Sequence, residues 1–103
     1  MRQFDVFRNP SPTRRRTVPL LIVLQSDLVS DPSTVVVAAI VPALKQSNAS
    51  RLYPTFRIER KAYMMLTPNL AAVPRAMLVE SVANLEDQRD AIIAAIDVLF
   101  FGV

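Results

Sequence analysis

The sequence predicts a mainly β protein, with several antiparallel strands curled into a small barrel and a single α-helix at the C-terminus. Three observations lead there. Short runs of apolar, β-branched residues recur between proline-bearing polar turns, a pattern of strands and not of helices. The last twenty residues, from Asn84 to Val103, carry helix signals at both ends. The chain has 103 residues, 51% hydrophobic and 20% charged, which suits one domain spanning 1–103 with a modest core and lies outside the disordered range.

Gln3 to Arg8 alternates, with Phe4 and Val6 on one face and Asp5 and Phe7 on the other, and reads as a strand. Pro10 and Pro12 make Asn9 to Thr13 a loop, with Arg14, Arg15 and Arg16 on the far side of an exposed turn. Thr17 to Gln25 is apolar on both faces and reads as a central strand buried on two sides, its pairing limited at the start by Pro19. Ser26-Asp27 and Ser30-Asp31-Pro32-Ser33 bracket Leu28 and Val29 with turn formers; these two residues are either exposed at a bend or minor core fillers. Thr34 to Val41 is a second apolar strand, followed by a polar loop from Lys45 to Arg51. Asn48-Ala49-Ser50 has the spacing of a glycosylation acceptor but meets no secretory signal. Thr55 to Glu59 and Tyr63 to Leu66 form a hairpin whose turn, lacking glycine, is expected to be wider than two residues. Pro68-Asn69 and Val73-Pro74 punctuate the next segment, and Met77 to Val79 reads as a last short strand. Met64, Met65 and Met77 read as core filling.

In the closing helix Asn84 supplies the N-cap, Glu86 and Asp87 complement the positive helix end, and Gly102 suits the stop. Between Ile92 and Phe101 only Asp97 is polar, so the helix is apolar around most of its circumference. One small core cannot cover that much surface. A partner is therefore expected at the apolar end formed by Phe101, Gly102 and Val103. A homodimer interface is expected on Ile92, Ile96, Leu99 and Phe100, near a two-fold axis.

The chain contains neither histidine nor cysteine, which removes the commonest general base, disulfides and thiolate metal sites. Glu86, Asp87 and Asp90 cluster at helical spacing but are accounted for as charge at a helix N-terminus. Asp27 and Asp31 offer too few oxygens for a divalent ion. The only glycine, Gly102, leaves no glycine-rich phosphate loop. No catalytic residue, metal site or cofactor is expected, and the protein reads as something other than an enzyme. Charge is unevenly spread: residues 1–16 hold five basic and one acidic side chain, residues 51–79 the same, and residues 80–103 one basic and five acidic. The arginine run has no interleaved aromatics of the kind that stack on bases. The start of the chain lacks an apolar signal core and the longest apolar run, Val35 to Val41, is too short for a bilayer, so no membrane contact and a cytoplasmic location are expected.

Several stretches, taken together and in order, resemble the CcdB family of toxins from toxin–antitoxin modules. They are Gln3-Phe4-Asp5-Val6-Phe7, Val23-Leu24-Gln25-Ser26-Asp27-Leu28, Tyr53-Pro54, Met64-Met65-Leu66-Thr67, Ala72-Val73-Pro74, and the ending from Ala95 to Val103. The resemblance implies a homodimer of SH3-like barrels that binds the A subunit of DNA gyrase and stabilises its cleaved-DNA complex. It implies a CcdA-like antitoxin that neutralises the toxin and, with it, represses their operon; DNA is then touched only through that complex or through gyrase. Family contacts to gyrase match Phe101, Gly102 and Val103, supported by Ser26, Leu28 and Asp97. Two positions depart from the best-known member: Phe101 stands in place of a tryptophan and Asp97 in place of an asparagine. Against a cation the phenyl face is the weaker one, by about 0.5–1 kcal/mol.

Two alternatives compete with this reading. A MazF-like endoribonuclease shares the barrel and would use a basic surface for RNA, but the glycine-bearing N-terminal pattern and arginine-proline motif of those enzymes are missing. A non-toxic CcdB-like binding protein would differ only in lacking toxicity.

Overall fold

The computed structural model describes residues 1–29, 33–44 and 49–103. The expected turn at Ser30-Asp31-Pro32 and the loop positions Lys45 to Asn48 lie outside the described residues. Six strands are formed among the described residues: β1 (Asp5–Arg8), β2 (Leu20–Val23), β3 (Thr34–Pro42), β4 (Thr55–Ile58), β5 (Lys61–Pro74) and β6 (Ser81–Asn84). They make one antiparallel sheet in the order β4-β5-β3-β2-β1-β6, followed by helix α1 (Arg89–Phe101). The sheet curls into a nearly closed barrel. No helix among the described residues is long and apolar enough to cross a membrane.

A local interruption lets a sheet with so few strands bend that far. Ala38 of β3 pairs with Leu70 of β5, whereas its neighbour Ala39 pairs with Leu66, so Thr67, Pro68 and Asn69 are looped out of the ladder. The bulge admits Pro68, which could not donate to the ladder, and turns β5 so that its first half can also pair with β4. Thr67 is fully buried there, and its hydroxyl donates to the Leu52 carbonyl. Across the remaining gap, Arg8 of β1 bonds to Glu80, just before β6, and to Glu59, in the turn after β4. The hydrogen bond to Glu80 raises the Arg8 pKa above its ordinary value. These are solvent-exposed ion pairs, so they orient the edges and contribute little stability.

Burial follows the period-two alternation of strands on both faces of the sheet. Inside the barrel, Phe4, Val6, Leu20, Ile22, Ile40 and Met65 pack with Ile92 and Ala95 of the helix. On the other face Phe7, Val23, Val35 and Val37 pack under Leu78. The two-sided burial expected for β2 is therefore observed, although the strand is trimmed to Leu20–Val23. Thr17 and Val18 instead donate to the Arg14 carbonyl, closing an exposed 3-10 turn over Arg14–Arg16. The first strand begins at Asp5 and not Gln3, because Phe4 adopts a left-handed φ of 70°.

Three further expectations are corrected. The β4–β5 turn is as tight as a hairpin allows: Ile58 pairs with Lys61, and Glu59 and Arg60 alone cross over, at φ 51° and 68°. Both are in the left-handed region usually filled by glycine or asparagine, and the Arg60 carbonyl is held by the Arg57 guanidinium at 2.9 Å. Met77 to Val79 is no strand: Arg75–Met77 is a 3-10 turn, Met77 and Val79 are exposed, and the last strand comes at Ser81–Asn84. That strand has a weak local signal because only Val82 in it is a β-branched apolar residue. Finally, Asn84 caps a 3-10 turn at Glu86–Gln88, accepting from the Glu86 amide at 2.8 Å, and α1 proper starts at Arg89.

Replacing Arg60 by glycine removes left-handed strain while keeping the backbone carbonyl that Arg57 binds. Arg60→Gly is expected to raise the unfolding free energy by about 1 kcal/mol after the extra chain entropy of glycine is deducted. The denaturant midpoint should rise with an unchanged slope; a lower midpoint would show that the Arg60 side chain matters more than its φ.

Candidate protein-binding site

Helix α1 buries only Ile92 and Ala95 completely, with Ile96 partly covered against the same core. The remaining apolar side chains follow the helix out of the core. Ile93, Val98 and Leu99 are half-buried, Phe100 is 60% exposed and Phe101 74% exposed. Gly102 then stops the helix at φ 73°, its amide bonding to the Val98 carbonyl at 3.1 Å, as expected for a left-handed C-cap. A Cβ on Gly102 would meet nothing within 4 Å, so the glycine is demanded by conformation and not by space. Val103 is left 70% exposed.

Phe100 and Ile96 face a shallow groove of about 240 Å³ whose other walls are Leu24, Gln25, Val36 and Leu70. Gln25 connects this groove to the turn after β2. Its side-chain amide donates to the Val29 carbonyl at 3.0 Å and accepts from the Val36 amide at 3.1 Å, clamping the turn to the start of β3. Ser26 closes the turn from within: its hydroxyl accepts from the Leu28 amide at 3.1 Å, and its carbonyl from the Val29 amide at 3.0 Å. Asp27 accepts from the Gln3 amide at 2.7 Å, and Arg75 donates to the Val29 carbonyl at 3.0 Å. So many bonds hold the backbone that Leu28 is carried outward, 94% exposed. It is a presented side chain and not a core filler.

Gln25, at the start of the turn that carries Ser26 and Leu28, shares the groove with Ile96 and Phe100, and half-buried Asp97 follows Ile96 on the helix. Phe101, Gly102 and Val103 extend from that surface as the end of the chain. Beside the turn, a polar cleft of about 270 Å³ is lined by Arg2, Asp27 and Arg75 among others. Of the residues expected at a dimer interface, Ile92 is corrected: it is fully buried in the chain's own core and has no surface to offer. Half-buried Leu24 and the more exposed Val36, which both line the groove, were missed because each lies in a run that reads as uniformly buried. Gln25 was missed as well, although a Gln-Ser-Asp triplet breaking an apolar run is the kind of signal that marks a side-chain-locked turn. The exposed groups are aliphatic and aromatic, suited to burying area against another macromolecule. Among the described residues no group of three Asp, Glu, His or Cys is close enough to hold a metal.

Cutting the Gln25 clamp separates presentation from folding. Gln25→Ala is expected to lower stability by only about 1 kcal/mol, since its two hydrogen bonds are exposed to solvent. Amide exchange at Leu28, Val29 and Val36 should accelerate selectively, and unchanged exchange there would mean that the turn stands without the clamp.

A family model described as CcdB protein matches residues 3–102 of the 103-residue chain.

Proposed function

The chain belongs to the CcdB family, the toxins of toxin–antitoxin modules, and we propose that it acts by binding the A subunit of DNA gyrase and holding it on cleaved DNA. The observation that carries this reading is the end of α1. Phe101, the last residue of the helix, and Val103, just past its glycine cap, both stand out of the fold, and the resemblance matches them to the family's gyrase contacts. Phe101 is the anchor, a large rigid ring at little entropic cost, and Gly102 lets the backbone come close beneath it. Leu28, held out on its locked turn with Ser26 behind it, adds a second apolar contact. Asp97 adds negative charge to an already acidic helix and steers it toward a basic surface.

Such action requires no chemistry by the toxin. None of Phe101, Gly102, Val103 and Leu28 has a side chain able to carry a proton or act as a nucleophile, so the protein works as a wedge and gyrase cuts the DNA. A CcdA-like antitoxin neutralises it by binding, and DNA is reached only through that complex or through gyrase, in the cytoplasm. The toxin acts as a homodimer built on the groove of Ile96, Phe100, Leu24 and Val36, together with half-buried Leu99 of the same helix. Pairing two copies there covers apolar surface that the single chain leaves open.

Phe101→Arg, or deletion of Val103, should abolish growth arrest and gyrase-dependent DNA cleavage with purified A and B subunits, while circular dichroism stays that of the parent. Arrest of undiminished strength by either variant would sink the proposal. For the dimer, sedimentation at about 10 μM, a concentration at which a stable homodimer stays associated, should give twice the chain mass. Phe100→Asp should give the single-chain mass, and a parent protein that is monomeric at every concentration would refute the interface.

A further inference from the structure

Opposite charges collect at opposite ends of the barrel. At the end where β1 starts, Asp5 pairs with Asn84, Asp27 is bonded to Gln3, and Glu86, Asp87 and Asp90 lead into α1. At the other end β1 finishes, β2 begins and β4 turns into β5: Arg8 pairs with Leu20, and Ile58 with Lys61. The Arg14–Arg16 turn lies between β1 and β2. Arg8 reaches Glu59 of the β4–β5 turn at 3.3 Å, which makes the two turns neighbours across the barrel gap.

The arginine run alone is a weak signal in the sequence, but folding enlarges it. The β4–β5 hairpin adds Arg57, Arg60 and Lys61, all of them exposed like Arg14, Arg15 and Arg16. The acidic side chains beside them, Glu59 and Glu80, are both engaged by Arg8. Among the described residues none of the six exposed cations forms an ion pair, so their field is left for a ligand. Both turns are held in place. Asn9 donates to the Val18 carbonyl at 2.8 Å and accepts from the Ser11 amide at 3.0 Å, Arg15 bonds to the Asn9 carbonyl at 2.9 Å, and Arg57 holds the Arg60 carbonyl at 2.9 Å. The rings on the adjoining strands, Phe7, Phe56 and Tyr63, are buried, so none is free to stack on an unpaired base.

We propose that this cationic end holds the phosphate backbone of double-stranded DNA, with phosphates met by both turns at once. Charges without stacking rings suit a duplex, whose bases are already stacked, and recognise it without regard to sequence. A few such contacts give a Kd of only about 0.1 mM, so the surface acts on DNA that a partner protein already holds close, where the effective concentration is about millimolar. The choice of DNA over RNA rests on the gyrase reading above. The surface itself is at the other end of the barrel from the Leu28 turn and the groove beside Phe100.

The test uses the full chain and a fluorescein-labelled DNA duplex of about 20 base pairs, read by fluorescence anisotropy at about 50 mM salt. Binding is expected to weaken with added salt, at a log–log slope of about −3 to −4, as for about four phosphates released from counterions. Arg16→Glu and Lys61→Glu, one in each turn, should each weaken binding at least about threefold, and the two together at least about tenfold. Arg2→Glu makes the same charge change at the end where β1 starts and should leave the affinity within about twofold of the parent. No binding up to about 1 mM protein, or a slope near zero, would overturn the proposal. So would an Arg2→Glu loss equal to that of Lys61→Glu, since net charge and not this surface would then be at work. Tighter binding to the single strand or to an RNA duplex of the same sequence would also reject it. The gyrase reading is decided separately by Phe101→Arg and deletion of Val103, neither of which touches the cationic end. Should a glutamate variant fail to fold, the salt slope of the parent still decides.

Discussion

Both halves of the candidate binding surface hang from the backbone of Gln3 and Phe4. Phe4 sits at φ 70°, a region that costs a non-glycine residue about 1–2 kcal/mol. Its ring is 1% exposed, and burying a phenyl group of that kind is worth about 2–3 kcal/mol, so burial outweighs the strain. The conformation lets its amide reach the Val23 carbonyl at 2.7 Å while its carbonyl receives the Leu85 amide at 3.0 Å, joining the end of β2 to the approach of α1. Arg89, the first residue of α1, lies over the ring at 5.7 Å. Gln3 repeats the arrangement one residue earlier, bonding to Asp27 and Leu24 on one side and to Asn84 on the other. Two consecutive residues near the N-terminus thus set where the Leu28 turn and the terminal helix stand relative to one another.

Given that frame, exposure and not reactivity defines the working surface. Polar groups near the Leu28 turn are used internally: Gln25, Ser26 and Asp27 each hold backbone, and Arg75 joins them. What they present outward is aliphatic. A rigid apolar side chain loses little entropy on binding, so a pre-set turn and a capped helix end suit contact with another macromolecule. In the proposed action, charge on the acidic helix and basic body would bear on approach and orientation more than on final affinity.

Most of the strand order along the chain was legible from alternation and proline placement, and β3, β4 and the Gly102 cap appear nearly where those signals put them. Legibility failed where a residue's role is set from far away. Glu59 and Arg60 lack the glycine that announces a two-residue turn, yet they make one, because pairing of Ile58 with Lys61 leaves no other path. Ser81–Asn84 has almost no propensity of its own and becomes a strand because β1 offers an edge. Ile92 and Phe100 look alike in sequence, both large and apolar on one helix, but one is wholly inside and the other mostly outside.

The sequence by itself determined the mainly β class, the closing helix with its left-handed stop, and the absence of histidine and cysteine from any chemistry. These follow from forces acting over a few residues: fixed proline φ, side-chain alternation, and the freedom of glycine at a helix end. Only the tertiary structure decided that Thr67 to Asn69 bulge out so the barrel can close, and that Phe4 bears strain to join a strand to the helix. It also decided that Leu28 stands in solvent while Leu20, eight residues earlier, is sealed in the core. Burial depends on partners tens of residues away along the chain, and no local pattern specifies which side of a curved sheet those partners will leave uncovered.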